Sequence, residues 1–176
     1  MDSQNIVILG IGNILFSDEG FGIRVIEQLQ TEYEFPENVS VYDGGVLGLK
    51  LLGIMSGADH LIVVDTVKNK EKPGSLYRLE RKHLPERIRA KSSLHEVDFL
   101  EALTMCQALD RVPETVVLGV EPEDIDTLGL ELTQTTRSKI DPVIDMVLAE
   151  LDRLGVSYTK RSSGDVSCDT LKNCEN

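Results

Sequence analysis

The sequence is poor in the residues that most often hold metals or form cross-links. Its 176 residues include three cysteines and three histidines. An odd, widely spread set of cysteines argues against a disulfide framework, and the small total excludes a cysteine-rich zinc module. Positive charge is also scarce. The 18 Lys and Arg against 30 Asp and Glu leave a net charge of −12. Without a basic run, no nucleic-acid partner is expected, because phosphate binding leans on Lys and Arg. No apolar stretch approaches the roughly 18 residues of a membrane span, so no membrane partner is expected. The polar start, Met1-Asp2-Ser3-Gln4-Asn5, lacks the basic-then-apolar pattern of a signal peptide. A soluble, cytoplasmic protein is expected. Any metal site has to recruit carboxylates, and most of the 30 are solvated surface.

Short apolar runs organise what is there. Ile6-Val7-Ile8-Leu9, Leu61-Ile62-Val63-Val64 and Val116-Val117-Leu118-Gly119-Val120 are unbroken, as in strands buried on both faces of a parallel sheet. Val39-Ser40-Val41-Tyr42 alternates more. Ser75-Leu76-Tyr77-Arg78-Leu79 suits an edge strand, for which an antiparallel setting is open. Helical spacing falls between the runs. Residues 18–32 place Gly22, Val25, Ile26 and Leu29 on one face, and 46–56 carry Val46, Leu49, Leu52 and Ile54 or Met55. Residues 94–109 place Phe99, Ala102, Cys106 and Leu109 on a stripe. Ile140, Val143, Ile144, Val147, Leu148, Leu151 and Leu154 follow an amphipathic pattern, with Pro142 either kinking it or in its first turn. The expected fold is α/β: a three-layer sandwich with a twisted, mostly parallel five-stranded sheet between helices. Residues 1–159 form one domain, 67–74 an exposed loop, and 160–176, with Cys168 and Cys174, a disordered tail.

Ligands of an open α/β sheet bind outside the carboxyl ends of its strands. Three segments end there: Gly10 to Gly20, Asp43-Gly44-Gly45, and Asp65. Chain order therefore brings Glu19, Asp43 and Asp65 into one neighbourhood. Each also has a bland reading. Asp18 and Glu19 suit the first turn of a helix, where the dipole favours acidic residues, and Asp43 suits a turn. Asp65, directly after four buried residues, points more strongly to a cleft. Ser93-Leu94-His95-Glu96 matches a capping box, which puts His95 in a first turn at the end of the buried stripe. The positive helix terminus keeps its ring neutral, as a metal ligand must be; a satisfied core histidine fits equally well. His60 and His83 read as surface residues, and Cys106 reads as core.

Other chemistries find little support. Gly10-Ile11-Gly12 lacks the third glycine of a dinucleotide fingerprint, because Leu15 stands there. Two carboxylates at the next helix start would repel a pyrophosphate. There is no G-x-S-x-G, H-E-x-x-H or G-x-x-x-x-G-K-[ST] motif.

The same residues carry a family resemblance. The stretch from Val7 to Gly22 resembles the opening motif of the nickel-iron hydrogenase maturation endopeptidases. Asp43-Gly44-Gly45-Val46-Leu47-Gly48 is similar to their second motif, Asp59 to Asp65 to the third, and Ser93-Leu94-His95 to the segment with the family histidine. Gly119-Val120-Glu121-Pro122 and Gly129-Leu130 resemble the later part, so the likeness spans roughly residues 5–158 in order. The resemblance implies a protease that removes the C-terminal extension of the nickel-iron hydrogenase large-subunit precursor after nickel insertion. It implies metal binding by Glu19, Asp65 and His95, and substrate recognition and activity at Asp43, Gly44 and Gly45. Two carboxylates and one imidazole suit nickel, with zinc or cadmium as substitutes. Only three ligands, drawn from separate segments, imply nickel brought by the substrate. That nickel either polarises the scissile carbonyl, with Glu19, Asp65 and Asp43 forming the catalytic group, or serves as a ruler while a carboxylate such as Asp43 moves the proton. A non-catalytic nickel chaperone using the same ligands, or a different peptidase of related fold, are the alternatives. One chain suffices to build the cleft, so a monomer is expected.

Overall fold

The apolar runs become strands because helices cover both of their faces. The protein is described by a computed structural model over residues 4–45, 50–80, 103–108 and 110–162. In chain order it runs β1 (Ile6–Ile11), a 3-10 helix (Ser17–Gly20), α1 (Phe21–Glu32), β2 (Tyr33–Glu34), β3 (Val39–Gly45), α2 (Lys50–Ser56) and β4 (His60–Thr66). Then follow β5 (Leu76–Glu80), β6 (Glu114–Val120), α3 (Gln134–Arg137), α4 (Ile140–Arg153) and β7 (Thr159–Lys160). Five strands form one sheet in the order β3-β1-β4-β6-β5. The first four are mutually parallel, and β5 closes the edge antiparallel to β6. The α/β sandwich read from the sequence is thus the fold observed.

Alternation along the buried strands divides the core in two. Ile6, Ile8, Ile62, Val64, Val116 and Leu118 face α1 and α4, against Phe21, Val25, Ile26, Leu29, Val143 and Val147. On the other face Val7, Leu9, Leu61 and Val63 meet Leu51 and Met55 of α2, with Leu103 and Cys106 of the helical segment 103–108. Helix α1 can lie this close to the sheet because of Gly22. A Cβ there would sit 2.3 Å from the carbonyl oxygens of both Ile11 and Val64. Pro142 falls in the first turn of α4, where an N–H has no partner within the helix to lose. That helix ends in a left-handed Gly155 (φ 72°), with the Val156 N–H donating to Leu151 O at 3.0 Å and Gly155 N–H to Asp152 O at 3.0 Å.

Several details depart from the sequence reading. The helix expected from residue 18 begins as a 3-10 turn, and α1 proper starts at Phe21. In α2 the buried residues are Leu51 and Met55, while Leu52 and Ile54 are half-buried; Val46 and Leu49 lie outside the described residues. His60 is not a surface residue. It is buried at the start of β4, with Nε2 3.1 Å from Gln4 Oε1 and Nδ1 3.5 Å from Glu114 Oε2. Lys160, placed in the tail by composition, pairs with Tyr33 in the small β2–β7 sheet, and the Arg161 N–H donates to Glu32 O at 2.7 Å. Residues 163–176, with both tail cysteines, lie outside the described residues, as do His83, Phe99, Ala102 and Leu109.

Candidate active site

The strand register decides which acidic residues meet. Gly10, near the end of β1, pairs with Asp43 of β3 on one side and Val64 of β4 on the other. Asp43 and Asp65 therefore flank the end of β1. The register slips after Gly10, so that Gly45 faces Ile11 and Gly44 bulges between. The Asp43-Gly44-Gly45 segment thus ends the edge strand β3, where Asp43 is exposed. Asp65 lies on the α2 side of the sheet and is half-buried. Its Oδ1 accepts from the Thr66 N–H at 2.7 Å.

Glu19 lies beside the same strand ends. It sits in the 3-10 helix, which lies against β4, and is half-buried. Gly12 makes the approach possible. Its φ of +140° is open to glycine alone, and a Cβ there would fall 1.9 Å from Glu19 O. The Asn13 N–H donates to that same oxygen at 3.2 Å. The glycines that looked like a defective dinucleotide motif serve instead to seat a carboxylate.

Asp18 has another task. It lies in the first turn of the 3-10 helix, as its sequence position suggests, and is fully buried. Its Oδ2 accepts from Glu123 N at 2.9 Å, Asp124 N at 3.0 Å, Thr133 Oγ1 at 3.1 Å and Thr136 Oγ1 at 3.0 Å, and its Oδ1 from Thr133 N at 2.8 Å. These bonds fasten the segment after β6 to the helix that carries Glu19. Glu121 works similarly on the loop after β4. It is buried and accepts from the backbone of Asn69 (2.9 Å to Oε2) and Lys70 (3.1 Å to Oε1) and from the Tyr77 hydroxyl (2.5 Å). Burial, and then the bond to Glu121, push the Tyr77 hydroxyl well above its usual range. The sequence reading missed both roles, although Glu121 follows a buried run just as Asp65 does. Cys106 is fully buried and burial raises its thiol, so it stays an unreactive core residue, as read.

His95 lies outside the described residues. Among the described residues no three His, Cys, Asp or Glu side chains form a group able to hold a metal ion, so Glu19, Asp43 and Asp65 do not form one by themselves. Two carboxylates at a sheet edge suit a hard or borderline ion, provided a further donor joins them.

Comparison with known proteins agrees with this architecture. The family model described as hydrogenase maturation protease matches residues 23–150. The hydrogenase expression/formation protein HupD of Bradyrhizobium diazoefficiens is 39% identical over 162 residues, covering 91% of this chain and 84% of the relative. The hydrogenase 2 maturation protease of Escherichia coli is 35% identical over 162 residues, covering 91% of this chain and 98% of the relative. The solved structure of the hydrogenase-maturating endopeptidase HybD from Escherichia coli superposes with a TM-score of 0.85 at 34% identity, covering 89% of this chain and 98% of that one. With the family model matching from α1 into α4 and relatives aligned over nine-tenths of its length, this chain belongs to the hydrogenase maturation protease family.

Proposed function

We propose that this protein is the endopeptidase that removes the C-terminal extension of the nickel-iron hydrogenase large-subunit precursor, acting in the cytoplasm as a monomer after nickel has been inserted. Nickel belongs to the substrate and is the element recognised. The observation that carries this reading is that the 3-10 helix bearing Glu19 lies against β4, the strand that bears Asp65, in a chain of this family. Glu19, Asp65 and His95 are its proposed ligands, and zinc or cadmium would substitute in vitro. Three ligands leave coordination positions for the precursor's own donors, which suits a metal that is met rather than stored. Docking of that ion places the scissile bond beside Asp43, whose exposed carboxylate is positioned to carry a proton to or from the reacting groups. Gly44 and Gly45, on the bulge beside it, offer backbone to the incoming extension.

The test combines the purified chain with nickel-loaded precursor and follows the mobility shift that accompanies loss of the extension. Glu19→Gln and His95→Ala are expected to abolish the shift. Normal processing by both variants would sink the ligand assignment. Processing of nickel-free precursor at the full rate would separately sink recognition through nickel. Binding of precursor without release of peptide would mark a chaperone instead.

A further inference from the structure

Beside the Glu19 helix the surface changes character. Leu128, Leu130 and Leu15 are 74%, 57% and 54% exposed, and Ile14 is also exposed. They come from two segments locked together by backbone bonds. The Ser17 N–H donates to Gly129 O at 2.8 Å, the Gly129 N–H to Leu15 O at 3.0 Å, and the Asp18 N–H to Asp124 O at 2.9 Å. The turn leading into Leu128 is itself fastened, since Asp124 Oδ1 accepts from the Asp126 and Thr127 N–H groups, each at 3.0 Å. Arg24 Nη2 donates to Leu130 O at 3.0 Å. Leucines displayed on so firmly held a backbone are a fixed apolar surface, and exposed apolar groups gathered in one place mark a contact with another molecule.

Charge decides what kind of molecule. Residues 121–133 contain Glu121, Glu123, Asp124, Asp126 and Glu131, with no Lys or Arg. Glu121 is buried and engaged by the 67–74 loop, and Glu131 pairs with Arg137. Glu123 and Asp126 remain as an exposed acidic rim, with Asp124 between them. A second copy of this chain would bring the same rim and another net charge of −12 against it, which disfavours self-association. The rim instead complements an apolar surface edged with Lys and Arg.

We infer that Leu15, Leu128 and Leu130, within their acidic rim, form the docking surface for the folded body of the substrate protein: an apolar patch bordered by basic residues on the large-subunit precursor. This inference rests on the protease reading above. Because residues 15–17 lead directly into the Glu19 helix, docking here fixes the precursor's body while its extension crosses the sheet edge. Affinity for the substrate is thereby separated in space from the bond-breaking step.

The experiment is steady-state processing of nickel-loaded precursor by three proteins: the unaltered chain, a Leu128→Ser/Leu130→Ser double variant, and a Glu123→Gln/Asp126→Gln double variant. Their thermal midpoints are compared first, and because all four side chains are exposed they should agree. Removing two leucines from a contact is expected to raise KM by at least about ten-fold with kcat held within about two-fold. The carboxamide variant should raise KM by roughly three-fold and weaken its dependence on salt. If the unaltered chain releases no peptide, the protease reading falls and the docking surface falls with it. If the unaltered chain processes the precursor and both double variants keep its KM, the docking surface alone is overturned. A dimer of the unaltered chain in sedimentation, lost in the leucine variant, would assign the patch to self-association and overturn the inference as well.

Discussion

Asp18 and Glu19 are adjacent carboxylates with opposite fates. Asp18 accepts five hydrogen bonds and is withdrawn from solvent, whereas Glu19 is only half-buried. Five donors converging on one buried carboxylate leave no place for a further N–H. Asp18→Asn keeps the shape but turns an amide nitrogen toward donors. Hydrogen bonds to charged groups contribute about 1.5–3 kcal/mol each, so a loss of about 2–3 kcal/mol is expected, with a fall of roughly 5–10 °C in Tm. Urea unfolding of the variant measures it, and an unchanged midpoint would show the network to be dispensable. Nothing in the local sequence separates Asp18 from Glu19, because both suit a helix start and only the return of the segment after β6 distinguishes them. The rule that singled out Asp65, a carboxylate directly after a buried run, applies equally to Glu121. It locates the sheet edge correctly in both cases, but at Glu121 the edge is filled by the chain's own loop, 52 residues away from Asn69 in sequence. Short-range pattern therefore finds the place, and long-range pairing decides the use.

Elements were more legible than residues because their period is written along the chain. The apolar stripes of α1 and α4 and the parallel runs of β1, β4 and β6 follow directly from spacing. The inward face of α2 did not, because its short described span, Lys50–Ser56, contains too few turns to distinguish Leu51 from Leu52. What spacing cannot supply is the distance between layers, and glycine sets that here. Gly22→Ala should test it in a direction opposite to intrinsic preference, since alanine favours helix over glycine by up to about 1 kcal/mol. The added methyl would lie 2.3 Å from two strand carbonyls, both backbone and unable to swing aside. Overpacking of this kind costs about 1–3 kcal/mol or more, so the variant is expected to lose about 2 kcal/mol net and, by lifting α1 and the Glu19 helix, to lower kcat more than it raises KM. Gly53→Ala in α2 is the control. Nothing lies within 4 Å of its new methyl, and a gain of about 0.5–1 kcal/mol is expected. Chemical denaturation of the pair reads both signs, and stabilisation in both variants would refute the account of helix seating.

At the scale of the whole molecule, the acidic surplus has two opposed effects on stability. Most of the 30 carboxylates repel one another, and a net charge of −12 favours expansion, so acidification relieves a general strain. Glu150 works the other way. It sits in α4 with its side chain 7% exposed, and Arg78 of the edge strand β5 reaches it with Nε 2.6 Å from Oε1 while Arg153 Nε stands 3.0 Å from Oε2. This cluster ties α4 to β5, an edge strand that pairs only with β6. Burial pushes the Glu150 carboxyl up, but the bonds from Arg78 and Arg153 outweigh it and hold the group below the usual glutamate value of 4.5. A carboxyl depressed in the folded state contributes its full stabilisation above 4.5 and loses it as pH falls through the depressed value. Glu150→Gln should therefore be less stable at neutral pH by about 1–2 kcal/mol, the worth of a charge-assisted bond to a partly exposed arginine. That gap should close as the pH is lowered below 4.5. The difference between the two proteins is the quantity to follow in urea titrations from neutral pH downward. Relief of general repulsion acts on both nearly equally and cancels, leaving the Glu150 contribution alone. A gap that stays constant under acid would mean that this carboxyl gains nothing from its arginines, and that β5 is held by its pairing with β6.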